Sequence, residues 1–139
     1  MTVVFFTDRD LGTRFPDILA NAGLRVERHR NHFQPDCADE DWLRSVDERG
    51  WIAVTHDSRI RYRPNELDAV VRHRVALLVV VGKAPFPHLA RNFVKTVPKI
   101  LDFLAHHKVP LIAKVYRPSP STLTRNPDAG GTVSLCYPR

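Results

Sequence analysis

The chain has 139 residues, of which 43% are hydrophobic and 26% are charged, a composition that predicts one globular domain with its own core. No segment reaches the roughly 18 apolar residues of a membrane span, and the short apolar run at the start ends in acids. We therefore expect no signal peptide, no membrane contact and a cytoplasmic location. The formal net charge of +6 favours an anionic partner, either nucleic acid or an acidic protein.

The first predicted strand is the β-branched and aromatic run at residues 3–7. Apolar residues then recur at helical spacing until Gly23, a residue type that commonly ends helices. Residues 24–27 predict a second strand. A strand, a helix and a strand in this order indicate the start of an α/β sheet.

A polar stretch at residues 29–38 follows and predicts a loop. We expect its two histidines, His29 and His32, at the surface, because no third metal ligand is in register with them. The next segment, ADEDWLRSVDERG, has acids in its first turn and an apolar face at helical spacing. It predicts a helix that Asp39 caps and Gly50 ends.

The alternation of strand and helix then repeats. Residues 51–55 predict a third strand, and residues 64–74 predict a helix with a proline near its first turn. The all-apolar run at residues 75–81 is typical of a strand in the middle of a parallel sheet. A long helical segment is expected at residues 86–104, in which Pro98 should kink or divide the helix.

Residues 111–116 predict the last strand. Together these elements predict an α/β fold with a mostly parallel sheet of about five strands, formed by residues 1–116. Residues 117–139 are rich in Pro, Ser and Gly, and they predict a C-terminal tail that forms either a short hairpin or a flexible arm.

Acidic side chains follow two of the predicted strands, at the point where each apolar run ends. Asp8 and Asp10 follow the first strand in FFTDRDLG, and Asp57 follows the third in WIAVTHDSR. The carboxyl ends of parallel strands meet at one edge of an open sheet, and the helix leading to the next strand begins there. The acids expected at this edge are Asp8, Asp10, Asp39, Glu40, Asp41 and Asp57.

Carboxylates that converge in this way need a counter-charge. Two of them about 4 Å apart repel by roughly 4 kcal/mol at an effective dielectric of about 20. Their oxygen atoms suit Mg²⁺ or Mn²⁺, and such an ion activates water and stabilises the charge that develops on a phosphate. The sequence therefore indicates metal-dependent phosphodiester chemistry, although Asp39 and Asp10 also suit helix capping and Asp57 also suits a solvated turn.

The order of these motifs resembles the PIN-domain ribonuclease superfamily, and above all its short PIN-like toxins from bacterial toxin–antitoxin pairs. The matching pieces are FFTDRDLG, ADEDWL and WIAVTHDSRIR. The resemblance implies a three-layer α/β/α fold and a Mg²⁺- or Mn²⁺-dependent endoribonuclease that hydrolyses RNA phosphodiester bonds. It implies Asp8, Asp39 and Asp57 as the metal-binding catalytic acids, and a small antitoxin protein as a partner.

One acid of that superfamily has no direct counterpart in this chain. Many PIN domains carry a further acid, often Glu, on a helix between the first Asp and the second. The stretch at residues 31–38 is too short for such a helix pair. Asp10, Glu40 and Asp41 are the candidates to take its place.

Basic residues accompany the predicted acidic edge. Arg59, Arg61 and Arg63 follow Asp57 at alternate positions, so an extended segment would direct them to one side. Guanidinium groups hold phosphates well, and we expect these three, together with Arg9, to bind the RNA backbone. A solvated basic loop is the alternative.

Two other functions stay open at this stage. A catalytically inactive PIN-like module would bind RNA or a partner protein without cleaving it. A phosphoacceptor receiver domain would also have acids after the first and third strands and a lysine near the last, here Lys114. The VVVGKAP segment, however, lacks the Ser or Thr that a receiver carries after its fourth strand. Whether the chain forms a homodimer is open as well.

Overall fold

The computed structural model describes residues 3–138, except for the side chain of Arg61. In these residues none of the helices combines the length and the apolar character that crossing a bilayer requires. The strands are β1 Val4–Thr7, β2 Arg25–Arg28, β3 Ile52–Thr55, β4 Ala76–Val80, β5 Leu111–Tyr116 and β6 Thr132–Tyr137. The helices are α1 Arg14–Asn21, α2 Asp39–Glu48, α3 Pro64–Arg72, α4 Phe86–His106 and α5 Pro120–Arg125.

The strands form one sheet in the order β2-β1-β3-β4-β5-β6. All neighbours from β2 to β5 pair in parallel, whereas β6 pairs antiparallel with β5. This topology confirms the predicted α/β fold with a mostly parallel sheet. The sheet has six strands rather than about five, because the C-terminal tail supplies β6 at one edge.

Helices cover both faces of this sheet. Phe5 and Phe6 are neighbours in β1 and point to opposite faces, because side chains alternate along a strand. Phe5 meets Phe93 of α4 edge-on, with 5.3 Å between ring centroids, in a core that α1 completes. Phe6 stacks on Trp42 of α2 at 5.4 Å, in a core that α3 completes. The domain therefore has the three-layer α/β/α architecture that the resemblance implied.

Helix α4 is a single element of 21 residues. Pro98 lies inside it, and the predicted division of the helix at this proline does not occur. Val97 and Ile100, on either side of the proline in sequence, are buried against the sheet. This packing holds the helix together despite the backbone hydrogen bond that a proline removes.

The C-terminal tail packs on α4. Gly131 N donates to Thr96 Oγ1 at 2.9 Å, and Lys99 Nζ donates to Gly131 O at 2.9 Å. A Cβ atom at Gly131 would lie 1.5 Å from Tyr116 O, so the two backbone segments approach as closely as only glycine allows. This contact brings the tail alongside β5, where it forms β6.

Candidate functional site

The carboxyl ends of β1 and β3 bring three acids together around one threonine. Thr55, the last residue of β3, is fully buried, and its Oγ1 lies 2.9 Å from Asp8 Oδ2 and 3.1 Å from Asp10 Oδ2. The same oxygen accepts a hydrogen bond from the backbone N–H of Asp57 at 3.2 Å. Asp8 is held in place by its own N–H, which donates to Val54 O at 2.8 Å. The parallel pairing of β1 with β3 thus produces the expected juxtaposition of these acids.

Asp10 belongs to this group and does not cap a helix. It lies in a 3₁₀ turn between β1 and α1, and the N-cap of α1 is Thr13. Both carboxylate oxygens of Asp10 accept from the backbone N–H of His56, each at 3.2 Å. The carboxylate therefore faces the end of β3, across the site from its own turn.

Asp39 is the first residue of α2 and lies close enough to Asp8 to raise its pKa. The predicted N-cap role is wrong, because Ala38 occupies the cap position and no side chain caps this helix. Asp39 Oδ1 instead accepts from Trp42 Nε1 at 2.8 Å, one turn further along the helix. This bond anchors Asp39 to a core residue and leaves Oδ2 facing Arg63.

The structure does not bring the next two acids of α2 into the group. Glu40 pairs with Arg72 of α3 at 3.1 Å, and Asp41 lies 3.9 Å from Arg44 on its own helix. Both pairs are solvent-exposed. The group of Asp8, Asp10, Asp39 and Asp57 is called the carboxylate cluster below.

Among the described side chains, that of Arg63 contacts this cluster directly. Arg63 Nη1 lies 2.6 Å from Asp57 Oδ2 and 3.9 Å from Asp39 Oδ2, and the hydrogen bond to Asp57 raises the pKa of Arg63. Arg59 and Arg9 are exposed and reach the cluster only through their backbone N–H groups, which donate to Asp57 at 3.0 Å and to Asp8 at 2.7 Å. The side chain of Arg61 lies outside the described part of the structure.

The cluster holds more negative charge than this arginine offsets. The pKa of Asp8 is raised to about 7, chiefly because burial removes its carboxyl group from water, and further because Asp10 and Asp39 are close. Hydrogen bonds from Thr55 and from the N–H of Arg9 oppose this rise. The pKa of Asp10 is raised too, again mainly by desolvation. A positive charge would therefore be favoured beside these two carboxylates.

The donor chemistry of the cluster fits a hard divalent cation, because four carboxylates and a hydroxyl are ligands that Mg²⁺ and Mn²⁺ accept. As placed in residues 3–138, no three His, Cys, Asp or Glu side chains come close enough together to hold a metal ion. Between Asp57 and Asp39 it is the guanidinium of Arg63 that supplies positive charge.

Two histidines near the cluster have environments that the sequence did not reveal. His29 is 3% exposed, packs among aromatic rings and has no hydrogen-bond partner at Nδ1 among the described residues, so its expected surface position is wrong. Burial lowers the pKa of His29, which favours the neutral ring. The His56 ring hydrogen-bonds Gly82 O at 2.9 Å and meets Phe86 edge-on. Thr55 and His56 are thus site residues for which the only sequence signal is the T-H-D order at the end of β3.

Comparison with known proteins assigns the chain to a family. Residues 3–82 match the family model of the PIN-like domain. The chain belongs to the PIN-like domain family. The matched residues run from β1 to just beyond β4, so they contain the whole carboxylate cluster, whereas α4, β5, α5 and β6 lie outside the match. Searches of curated proteins and of solved structures return no match.

Proposed function

We propose that this PIN-like domain is a Mg²⁺- or Mn²⁺-dependent endoribonuclease in which Asp8, Asp39 and Asp57 hold the metal ion. The observation that carries the proposal is the carboxylate cluster itself, where the pKa of Asp8 reaches about 7 although the guanidinium of Arg63 contacts Asp57 and Asp39. A divalent ion bound there would activate water and stabilise the negative charge on a scissile phosphate.

The residues of the chain then have separate roles in the proposal. Thr55 positions the carboxylates of Asp8 and Asp10 through its hydroxyl. Arg59 and Arg9 are exposed and bond the cluster through their backbone N–H groups, so their guanidinium groups are the candidates to hold the phosphates that flank the scissile bond. Arg61 is a further candidate for this role by its place in the sequence.

Arg63 has a conditional role. Its guanidinium contacts Asp57 and Asp39 at once, so it competes with a cation for the same two carboxylates. When the cation binds, Arg63 is displaced from them and becomes available to the phosphate backbone. Arg63 therefore contributes to substrate binding in the proposal only once the metal is present.

The test is cleavage of mixed cellular RNA by the purified chain with and without Mn²⁺. Wild-type protein should cleave only with the metal, and Asp57→Asn should lower the rate by about 100-fold or more, since metal-ion catalysis contributes several kcal/mol. Asp47→Asn is the matched control, because Asp47 is an exposed acid of α2 away from the cluster. Equal activity in Asp57→Asn and Asp47→Asn would refute the proposal.

The proposal extends to a biological role as the toxin of a toxin–antitoxin pair. The resemblance of the motifs to those of PIN-like toxins supports this role. In that role a small antitoxin protein would cover the carboxylate cluster. The measurement is growth of cells that express the wild-type chain, Asp57→Asn or Asp47→Asn. Arrest by the wild type and by Asp47→Asn but not by Asp57→Asn is expected, and growth unaffected by all three would contradict the toxin role.

A second candidate is a PIN-like module that binds RNA or protein without cleaving it. The contact of Arg63 with Asp57 and Asp39 favours this candidate, because a guanidinium neutralises the very acids that would bind a metal. Such a module would bind RNA equally well in Mn²⁺ and in EDTA and would cleave it in neither. The cleavage experiment therefore separates the two candidates.

A further inference from the structure

A second charged site lies at the same edge of the sheet, beyond β4. It is a cleft of about 270 Å³ between α4 and the segment that follows β5. Its basic side chains are Arg91 and Lys95 of α4 and Arg117, the first residue after β5. We call this site the basic cleft. All of its residues lie outside residues 3–82, so the family match assigns nothing to it.

The positive charge of the basic cleft is not offset. Arg91, Lys95 and Arg117 are exposed, and none has a carboxylate within ion-pair distance among residues 3–138. The described residues that line the cleft include no acid either. Cations gathered in this way repel one another, and phosphate is the anion that guanidinium and ammonium groups hold best together.

One wall of the cleft is apolar. Pro118 and Leu123 line it, and Leu123 is 40% exposed, one of the larger apolar side chains left at the surface. Ligand pockets commonly enclose about 300–1,000 Å³, so this cleft is slightly smaller than a typical one. A cationic rim beside an apolar wall of this size suits one nucleotide, with its phosphate on the rim and its base on the wall.

The walls of the cleft are held together by hydrogen bonds. Asn92, which lines the cleft, donates from Nδ2 to Tyr116 O at 3.2 Å and so ties α4 to the end of β5. On the next turn of α4, Thr96 Oγ1 donates to Asn92 O at 2.6 Å and accepts from Gly131 N at 2.9 Å. The cleft is therefore built into the fold rather than formed by loose surface side chains.

Two residues connect the basic cleft to the carboxylate cluster. The backbone of His56 bonds Asp10, and the ring of His56 bonds Gly82 O at 2.9 Å. On the other side of Gly82, Arg117 Nε lies 3.1 Å from the position that a Cβ atom would take at this glycine. From β1 to β5 the sheet spans three strand spacings, or about 14 Å. A short stretch of a nucleic-acid strand can therefore reach both sites.

We propose that the basic cleft binds one nucleotide of a single-stranded RNA whose scissile phosphate lies at the carboxylate cluster. The proposal rests on the proposed function and names a positioning subsite for its substrate. The strand is single because only an unstacked base can turn into a cleft of this size. Arg91, Lys95 and Arg117 hold the phosphate, and Leu123 contacts the base.

The test measures binding and cleavage separately. Fluorescence anisotropy in EDTA gives the affinity of the full chain for a labelled single-stranded RNA oligonucleotide, with no cleavage required. The variant Arg91→Gln/Lys95→Gln should lose at least about tenfold in affinity, since a single hydrogen bond to a charged group already contributes about that much. The RNA affinity of this variant should also depend less steeply on salt concentration. Lys108→Gln controls for the loss of a lysine charge outside the cleft, because Lys108 is exposed and lies near the opposite edge of the sheet, before β5.

Cleavage of the same oligonucleotide with Mn²⁺ supplies the second readout. A positioning role predicts a raised KM and an unchanged kcat in the double variant. If the double variant binds RNA like Lys108→Gln, the basic cleft is not an RNA subsite, and an acidic protein segment becomes its expected occupant. An equal loss of affinity for a duplex of the same sequence would also overturn the proposal. If the double variant loses RNA affinity but the wild type cleaves no RNA, the proposed nuclease activity is refuted, whereas the basic cleft is still an RNA-binding site.

Discussion

The carboxylate cluster and the basic cleft lie at one edge of the same sheet, yet they are charged in opposite senses. Among the described residues, the cluster gathers four acids and has one arginine in direct contact, whereas the cleft gathers three cations and has no acid in its lining. Like charges repel in both places, so each lowers the stability of the free protein. The surplus charges therefore suit two different ligands, a cation at one site and a polyanion at the other.

The two regions also differ in what holds them in place. The cluster depends on short hydrogen bonds at the ends of β1 and β3, such as those of the Thr55 hydroxyl. The basic cleft depends on contacts between α4 and a tail more than thirty residues further along the chain, as in the bond from Gly131 N to Thr96 Oγ1. A substitution at the ends of β1 or β3 should therefore disrupt the carboxylate cluster, while a substitution that displaces the tail from α4 should disrupt the basic cleft.

The largest effect is expected from Asp8→Asn, which removes one of the repelling charges. The folded protein keeps a proton on Asp8 up to about pH 7, whereas the unfolded chain releases it near its ordinary pKa of 3.8. Wild-type stability therefore falls as the pH rises between these values. Without metal at about pH 8, the variant should be more stable than wild type by about 4 kcal/mol, while losing RNA cleavage.

Urea unfolding in EDTA over the range from about pH 4 to pH 8 measures this effect. The advantage of Asp8→Asn should shrink steadily as the pH falls, because the wild-type carboxyl group then takes up its proton. Asp47→Asn, on the exposed face of α2, should show no such trend. A stability advantage that is independent of pH would mean that burial and the neighbouring acids do not raise the pKa of Asp8.

Gly131→Ala should break the cleft and spare the cluster. The added Cβ atom would lie 1.5 Å from Tyr116 O, so the tail must move away from β5 and lose its bond to Thr96. We expect a loss of about 3 kcal/mol in the free energy of unfolding. RNA affinity in EDTA should fall as it does in Arg91→Gln/Lys95→Gln.

Gly50→Ala is the control for this glycine substitution. Nothing lies within 4 Å of a Cβ atom at Gly50, and its φ of +70° makes alanine unfavourable by only about 1 kcal/mol. RNA affinity should stay unchanged in this control. If Gly131→Ala destabilises the protein no more than Gly50→Ala does, the close contact between the tail and β5 is not formed in solution.

The smallest effect is expected from Arg63→Gln, which removes positive charge from the cluster. Without Arg63, Asp57 and Asp39 lose their contact with a guanidinium, so a cation should bind more tightly. The rise in Tm on adding Mn²⁺ should therefore be larger than in wild type, since ligand binding stabilises the folded state in proportion to affinity. Differential scanning fluorimetry across Mn²⁺ concentrations measures it.

Arg72→Gln makes the same charge change outside the cluster. Arg72 pairs with Glu40 and Asp68 on an exposed surface, so its loss should leave the response to Mn²⁺ unchanged. Equal Mn²⁺-induced shifts in Arg63→Gln and Arg72→Gln would show that Arg63 does not compete with a metal ion.

Patterns that depend on neighbouring residues could be predicted from the sequence. The apolar runs of β1, β3 and β4 identified a parallel sheet, and the sheet placed Asp8, Asp10 and Asp57 at one edge. Strand β6 was harder to predict because it lies at the edge of the sheet and is only partly buried, so it lacks a continuous apolar run. Its place is decided by the contact of Gly131 with Tyr116, which is distant in sequence.

Side-chain partners could not be predicted in the same way. Nothing local distinguishes Arg63, which contacts the cluster, from Arg59, whose guanidinium is exposed. Glu40 turns towards Arg72 because α2 packs beside α3, a relation between helices that the sequence does not encode locally. His29 is buried for a similar reason, since the rings around it come from three separate segments.

The hydroxyl of Thr55 affects how the carboxylate cluster takes up protons. It carries one proton but faces two carboxylates, so it can give a full, linear hydrogen bond to Asp8 or to Asp10 but not to both. Whichever acid is without that donor is the easier one to protonate. The two acids therefore titrate as a single unit, and a pH midpoint measured for this site belongs to the pair.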